Sequence, residues 1–417
     1  MQIARDSYLQ QLIRKQNNKL VKVITGIRRC GKSYLLFNLF KEHLLKSGVM
    51  ADHIITIAFD SFENKHLQDP YALFPYLTNL FKDQEQYYVL LDEVQLLGDF
   101  ESVLNSLIRR DNVDVYVTGS NAKFLSKDVI TEFRGRGDEI HLNPLSFREF
   151  MTVYRGSKQD GFEDYCLYGG LPFVQSITDA NDKAQFLKSI FTETYLTDII
   201  GRHNVRNQEE LSELLNVVAS NIGALTNPNK LADTFKSVKH KTISPYTIKN
   251  YLEYFCDSFL IDKAQRFDIR GKRYIDSPLK YYFTDLGIRN AQLNFRQIEA
   301  THSMENVIFN ELKIRQFNVD VGVVNVNTQN EQGNTVKKQL EIDFVCNQGS
   351  KRYYIQSAYA LPTLEKRDQE VRSLKYTGDF FKRIVISKDT PTPYYNDDGI
   401  LFMNIYDFLL DDKSLEF

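Results

Sequence analysis

Residues 26–36 read GIRRCGKSYLL, and this stretch constrains the fold more than any other. It fits G-x-x-x-x-G-K-[ST] at every fixed position: Gly26, Gly31, Lys32 and Ser33, with Ile27, Arg28, Arg29 and Cys30 in between. Glycines let the backbone curl so that successive N–H groups face phosphate oxygens. The helix that follows adds its positive N-terminus. A lysine at this place neutralises the β and γ phosphates, and the hydroxyl next to it ligates Mg²⁺. Such a loop needs a strand before it and a helix after it. LVKVIT, Leu20 to Thr25, is a short β-branched run that predicts the strand, and SYLLFNLFKEHLL carries apolar residues at helical spacing. The expected ligand is ATP with Mg²⁺, held by the stretch from Gly26 to Tyr34.

Three more apolar runs follow: HIITIAF at 53–59, YYVLLDE at 87–93 and VDVYVTG at 113–119. Helical patterns, YALFPYLTNLF and FESVLNSLIRR, separate them. Short apolar strands alternating with helices predict a parallel sheet covered on both faces, hence an α/β fold. Asp92 and Glu93 close the third run, at the carboxyl end of a strand, where open α/β sheets bind ligands. Asp92 is expected to join Ser33 in holding Mg²⁺, and Glu93 to polarise the attacking water. Thr118-Gly119-Ser120-Asn121 closes the fourth run in the same way. Ser120 is the candidate there for contact with the γ phosphate or the water. In FRGRG, Arg136 is the candidate arginine finger, acting in cis or on a neighbouring subunit. Arg28 and Arg29 are unusual inside such a loop; contact with phosphate and pairing with an acid elsewhere both stay open.

The totals limit what else the chain can be. At 417 residues it is long enough for two or three domains. A net charge of −2 means that any nucleic-acid contact must come from a local basic surface. The four cysteines (Cys30, Cys166, Cys256, Cys346) are scattered, with no metal-ligand spacing, which argues against a disulfide framework or structural zinc and fits a reducing cytoplasm. Cys30, inside the loop, raises the prospect of thiol sensitivity, but a small residue merely tolerated there is the favoured reading. No run of about 18 apolar residues predicts a membrane span.

Three domains are expected: 1–205, a P-loop ATPase domain with a helical extension; 206–276; and 277–417. In the middle segment LSELLNVVASNIGAL, NKLADTFKSV and SPYTIKNYLEYFCDSFLI read as helices, with Ser244 as N-cap and Pro245 at the first helical position. LIDKAQRFDIRGKRYI then reads as two strands around Arg270-Gly271-Lys272. Helices followed by a hairpin describe a winged helix, with 245–256 as the recognition helix. Lys241, Lys249, Arg270, Lys272 and Arg273 are its candidate DNA contacts, with Tyr246 and Tyr251 beside them. Such a patch would bind duplex phosphates in a salt-sensitive, sequence-blind way. A solvated lysine face, or a lid on the ATPase core, explains the same pattern.

The runs VITGIRRCGKSYLL, YYVLLDEVQ, VTGSNAKFLS, FRGR, NPLSFREF, YGGLPFV, LKYYFTDLGIRNA, MENVIFNEL and EIDFV together resemble bacterial and archaeal P-loop ATPases of the AAA+ class. The resemblance covers nearly the whole chain in order. It implies an AAA+ parallel-sheet core, a winged-helix middle and a C-terminal α/β domain similar to PD-(D/E)xK nucleases. Such a nuclease site has a helix Glu, an Asp on one strand and an acid-x-Lys on the next, the acids holding Mg²⁺ and the lysine steering water. The matching positions are Glu305, Asp343 and Gln356, with Ala358 where lysine belongs. Losing that charge-stabilising group typically costs orders of magnitude in rate, so a degenerate site is expected. A lysine migrated to Lys351, or its neighbour Arg352, is the alternative. Three functions follow: an ATPase acting on or responding to double-stranded DNA; an ATP-gated switch that binds a protein; and, least favoured, an active nuclease. A homo-oligomer is compatible with each.

Overall fold

The computed structural model describes residues 3–119, 136–238, 241–329 and 335–417. These residues form two compact units, the first made of Met1–Pro144 with Leu171–Ser176 and Asp257–Phe259, the second of the remainder.

The first unit is built on β1 (Val21–Thr25), β2 (Ile54–Ala58), β3 (Tyr87–Asp92), β4 (Val113–Thr118) and β5 (Gly137–His141). They lie in the order β2-β3-β4-β1-β5, and every pair is parallel. β1, β3 and β4 are buried along their whole length, which is why their sequences are near-continuous apolar runs. Helices Pro70–Leu80 and Phe100–Leu107 lay Leu73, Leu77, Phe100, Leu104 and Leu107 against Val89, Leu91, Val115 and Val117. The first four strands fall within about one residue of the sequence reading, the usual uncertainty of such boundaries. β5 was not expected. It reads GDEIH, and only Ile140 in it is buried.

β4 lies between β1 and β3. The strand carrying the glycine loop and the strand carrying Asp92 therefore flank a common neighbour, with their carboxyl ends on one edge. Deep in the same sheet, Lys22 of β1 pairs with Asp114 of β4, both essentially inaccessible to solvent.

The second unit contains a mixed nine-stranded sheet. Its strands are β6 (Leu225–Thr226), β7 (Ile261–Asp268), β8 (Arg273–Phe283), β9 (Asn318–Gln329), β10 (Thr335–Gln348), β11 (Lys351–Ala358), β12 (Lys382–Ser387), β13 (Tyr394–Tyr395) and β14 (Leu401–Asn404). Their order is β13-β14-β12-β11-β10-β9-β7-β8-β6. Helices Gln208–Ser220, Pro228–Val238 and Pro245–Asp257 precede the β7–β8 hairpin. Ser244 caps the third of them as expected, its Oγ accepting the Thr247 N–H at 3.0 Å. β7 also pairs in parallel with β9, through Arg266↔Val321 to Asp268↔Val323. The hairpin and the tail thus share one sheet, and a boundary between residues 276 and 277 falls inside β8. A division of 206–276 from 277–417 cuts a continuous strand; the compact unit runs across it.

Candidate functional site

The glycine loop leaves β1 at Thr25. Gly26 takes φ +136°, and a Cβ there would come within 2.2 Å of the Leu142 carbonyl oxygen. Only glycine fits, because the obstacle is backbone. Arg29 (φ +63°) and Gly31 (φ +101°) complete the curl, and the helix opens at Lys32–Tyr34, with Leu35 N donating to Gly31 O at 2.9 Å. Lys32 is buried under the loop, its ammonium donating to Gly26 O at 2.9 Å and Ile27 O at 3.1 Å. Ser33 and Arg29 are exposed, while Arg28 and Tyr34 are half-buried. Gly26→Ala is expected to destabilise this unit by at least about 1–3 kcal/mol, from the forced backbone conformation alone. Its midpoint of thermal unfolding, compared with the wild type, is the check.

The acids meet the loop from the next strand but one. The Ser33 hydroxyl lies close enough to the Asp92 carboxylate to help hold its charged form. Thr118, at the end of β4, donates its hydroxyl to Asp92 Oδ1 and accepts the Glu93 N–H at 3.2 Å. Burial pushes the Asp92 carboxyl above its ordinary range, and nearby Glu93 and Asp60 add to that; the Thr118 and Ser33 hydroxyls pull it back. A cation between Ser33 and Asp92 would offset the same burial, so the donor set suits Mg²⁺. Glu93 sits at φ +52°, a left-handed turn that takes its side chain off the strand, where Gln95 Nε2 donates to Oε2.

Sequence reasoning missed two residues here. Thr118 closes an apolar strand in the same short polar run as Ser120, and Ser120 lies outside the described residues. Arg5 is buried, and its guanidinium donates to Cys30 O at 3.1 Å and to Asn143 O at 2.7 Å. It pins the glycine loop to the segment after β5, and nothing in its local sequence signals that. Cys30 is fully buried, and burial pushes its thiol up, away from the reactive thiolate, so thiol sensitivity is not expected. Arg136 lies at the opposite end of β1 from the glycine loop. Its carbonyl accepts the Val21 N–H at 2.8 Å, at the amino end of β1, while the loop leaves the other end. A five-residue strand separates the two by on the order of 13–16 Å.

Residues 18–151 match the family model of the AAA domain, and residues 159–299 match that of a domain of unknown function. An uncharacterized protein of Haemophilus influenzae is 33% identical over 98% of this chain and 98% of its own length. The chain belongs to the AAA family. An uncharacterized protein of Methanocaldococcus jannaschii is 29% identical to this AAA protein over 91% of the chain and 83% of the relative. Among solved structures, the Aeropyrum pernix Orc1 protein in complex with DNA is similar at 11% identity and a TM-score of 0.30, over 70% of this chain and 92% of that one. Cdc6p from Pyrobaculum aerophilum is similar at 11% identity and a TM-score of 0.31, over 70% and 95%. Likenesses that weak carry no functional weight. Among its described residues, no helix of this AAA protein is long and apolar enough to cross a membrane.

The second unit holds the other expected acids. Glu305, on helix Ala300–Ile314, and Asp343, on β10, are both buried. Asp343 accepts the Ser357 N–H at 2.8 Å. Gln356 Oε1, on β11, is buried without a hydrogen-bond partner, and Ala358 is core. Lys351 pairs with Glu416 at 2.7 Å on the surface, and Arg352 Nε donates to Asn347 at 2.7 Å. Neither is the migrated lysine. Lys280 of β8 reaches the acids instead: its Nζ lies 2.9 Å from Glu305, 2.8 Å from Glu341 and 3.6 Å from Asp343. Burial opposes the charge on Lys280, but Tyr282 and these carboxylates overcome it and hold the ammonium well above its ordinary range. Burial and the neighbouring Glu305 push Asp343 up to about 8.

The basic candidates divide. Lys241 is tied to Glu209 at 2.9 Å and Glu213 at 3.4 Å, Lys263 to Glu253 at 2.8 Å, and Arg273 lies 3.9 Å from Asp268. Arg270 is exposed, though its Nε donates to Tyr376 O at 3.0 Å. Lys249, Lys272 and Tyr246 are exposed, whereas Tyr251 is buried.

Proposed function

We propose that this protein binds ATP with Mg²⁺ and hydrolyses it, and that turnover is coupled to duplex DNA. The observation that carries the first part is the meeting of Ser33 with Asp92 beneath a glycine loop that already holds Lys32. Gly26 to Tyr34 would wrap the phosphates, and the Lys32 ammonium would exchange its two carbonyl partners for phosphate oxygens. Ser33 and Asp92 would hold Mg²⁺, which when bound neutralises phosphate charge. Glu93, turned off the strand next to Asp92, would accept the proton of the attacking water. Thr118 would fix both acids. Arg136 would serve a neighbouring subunit's nucleotide, which requires a homo-oligomer.

The DNA reading rests on the middle segment. Its order is a helix, a two-residue strand, two helices and a hairpin, with the first strand paired to the hairpin's second strand. We read that order as a winged helix, which would lay a helix in the major groove and a hairpin on the backbone. Lys249 on its third helix, with Arg270 and Lys272 at the hairpin turn, supplies exposed charge. The internal ion pairs of Lys241 and Lys263 favour a second reading, an ATP-gated switch that binds a protein. One assay separates them: ATP hydrolysis with and without duplex DNA at low and moderate salt, with Lys32→Ala as the blank. Stimulation that fades with salt is expected. Turnover indifferent to DNA would overturn the DNA reading and favour the switch.

A further inference from the structure

Lys280 makes the acidic cluster of the tail unlike a metal site. Its side chain is 4% exposed and sits among Glu305, Glu341 and Asp343, at hydrogen-bonding distance from the first two. Tyr282, two residues along β8, donates its hydroxyl to the same Glu305 oxygen at 2.7 Å. An ammonium offers one charge and three donors. A divalent ion needs about six oxygens in a tight shell, including the lone pairs those donors already occupy. The two cannot share one centre. Among the described residues no group of three or more His, Cys, Asp or Glu is arranged to hold a metal ion. Glu341 and Gln356 also line a surface pocket of about 370 Å³.

We propose that Lys280 is the resident cation of the tail: its ammonium stands where a nuclease-like site would hold a divalent ion, so this site binds no Mg²⁺ and cuts no nucleic acid. The inference rests on reading the tail as nuclease-like. It accounts for two departures together. With a lysine already seated among the acids, a second one at the position of Ala358 has no role, and Gln356 need not bring another charge. It also gives Glu305 and Asp343 a role, because a buried ammonium stripped of its carboxylates would be strongly unfavourable.

The test is Mn²⁺ binding to the nucleotide-free full chain, read from the EPR signal of free Mn²⁺. Wild type and Asp343→Asn should deplete that signal equally little. Lys280→Met should take up about one further equivalent per chain, and Lys280→Met/Asp343→Asn should lose it again. Should Lys280→Met fail to fold, the wild type against Asp343→Asn decides alone. A wild-type Mn²⁺ site that Asp343→Asn removes overturns the inference while leaving the nuclease-like reading intact. Mg²⁺-dependent cutting of DNA that Lys280→Met abolishes also overturns it, since the lysine would then be catalytic. A folded Lys280→Met that gains no site sinks the inference and the nuclease-like reading together.

Discussion

Glu93→Gln is expected to lower ATP turnover by about 10²–10⁴-fold, the contribution of a positioned general base, while ATP affinity stays within a few-fold of wild type. Lys32→Ala should remove both turnover and affinity, because its ammonium is committed to the loop that would hold the phosphates. The separation follows from placement. Lys32 lies under the loop with Gly26 and Ile27 as partners. Glu93 is linked to Asp92 through Thr118, which accepts its N–H and donates to Asp92. Removing the Glu93 charge therefore leaves the Ser33–Asp92 contact in place. Single-turnover hydrolysis with enzyme in excess gives the chemical step, and equilibrium binding of a fluorescent ATP analogue gives the affinity. A Glu93→Gln protein that turns over at the wild-type rate would mean that another group accepts the proton of the water.

The parts legible in the sequence are those where local pattern and tertiary demand agree. β1, β3 and β4 are buried on both faces, so their apolar runs declare them. The glycine loop is a short-range motif whose φ angles need the glycines that the pattern names. The Ser244 cap is equally local. β5 was illegible because it is an edge strand whose residues alternate Asp138, Glu139 and Ile140, which offers neither an apolar run nor a two-faced pattern. Lys280 was hidden for the opposite reason. In SPLKYYF a lysine among apolar neighbours looks like the end of a surface strand, and only the pairing of β8 into the tail sheet brings acids from Ala300–Ile314 and β10 around it. Arg5 acts on Cys30 across a long sequence separation and has no local signature. The hairpin's double membership, in a helical segment and in the tail sheet, depends on the β7–β9 pairing that no single-strand pattern encodes.

Asp114→Asn should destabilise the first unit by about 3–5 kcal/mol, the loss seen when one partner of a buried ion pair is removed. The pair lies between β1 and β4, with side-chain exposures of 0% for Lys22 and 3% for Asp114. Asp114 also accepts the Tyr116 hydroxyl at 2.9 Å and the Asn17 N–H at 2.9 Å, while Lys22 donates a second hydrogen bond to Leu20 O at 3.0 Å. An amide at 114 keeps the shape but leaves an ammonium in the core without a counter-charge. Burial already pulls the Lys22 pKa below its ordinary 10.5, against the attraction of Asp114. The unfolded chain therefore holds that proton more tightly than the native one. Lys22's contribution to stability is complete only above 10.5 and falls away as pH drops towards the lower native value. Asp114→Asn should steepen that fall, whereas Lys22→Met/Asp114→Leu should remove it and recover most of the lost stability, as apolar replacement of buried pairs often does. Chemical denaturation across pH measures both. Because β1 runs straight into the glycine loop, the Asp114→Asn protein should lose ATP binding at a lower temperature than wild type. An Asp114→Asn chain within about 0.5 kcal/mol of wild type would show that water reaches Lys22 and that the pair is not a buried one.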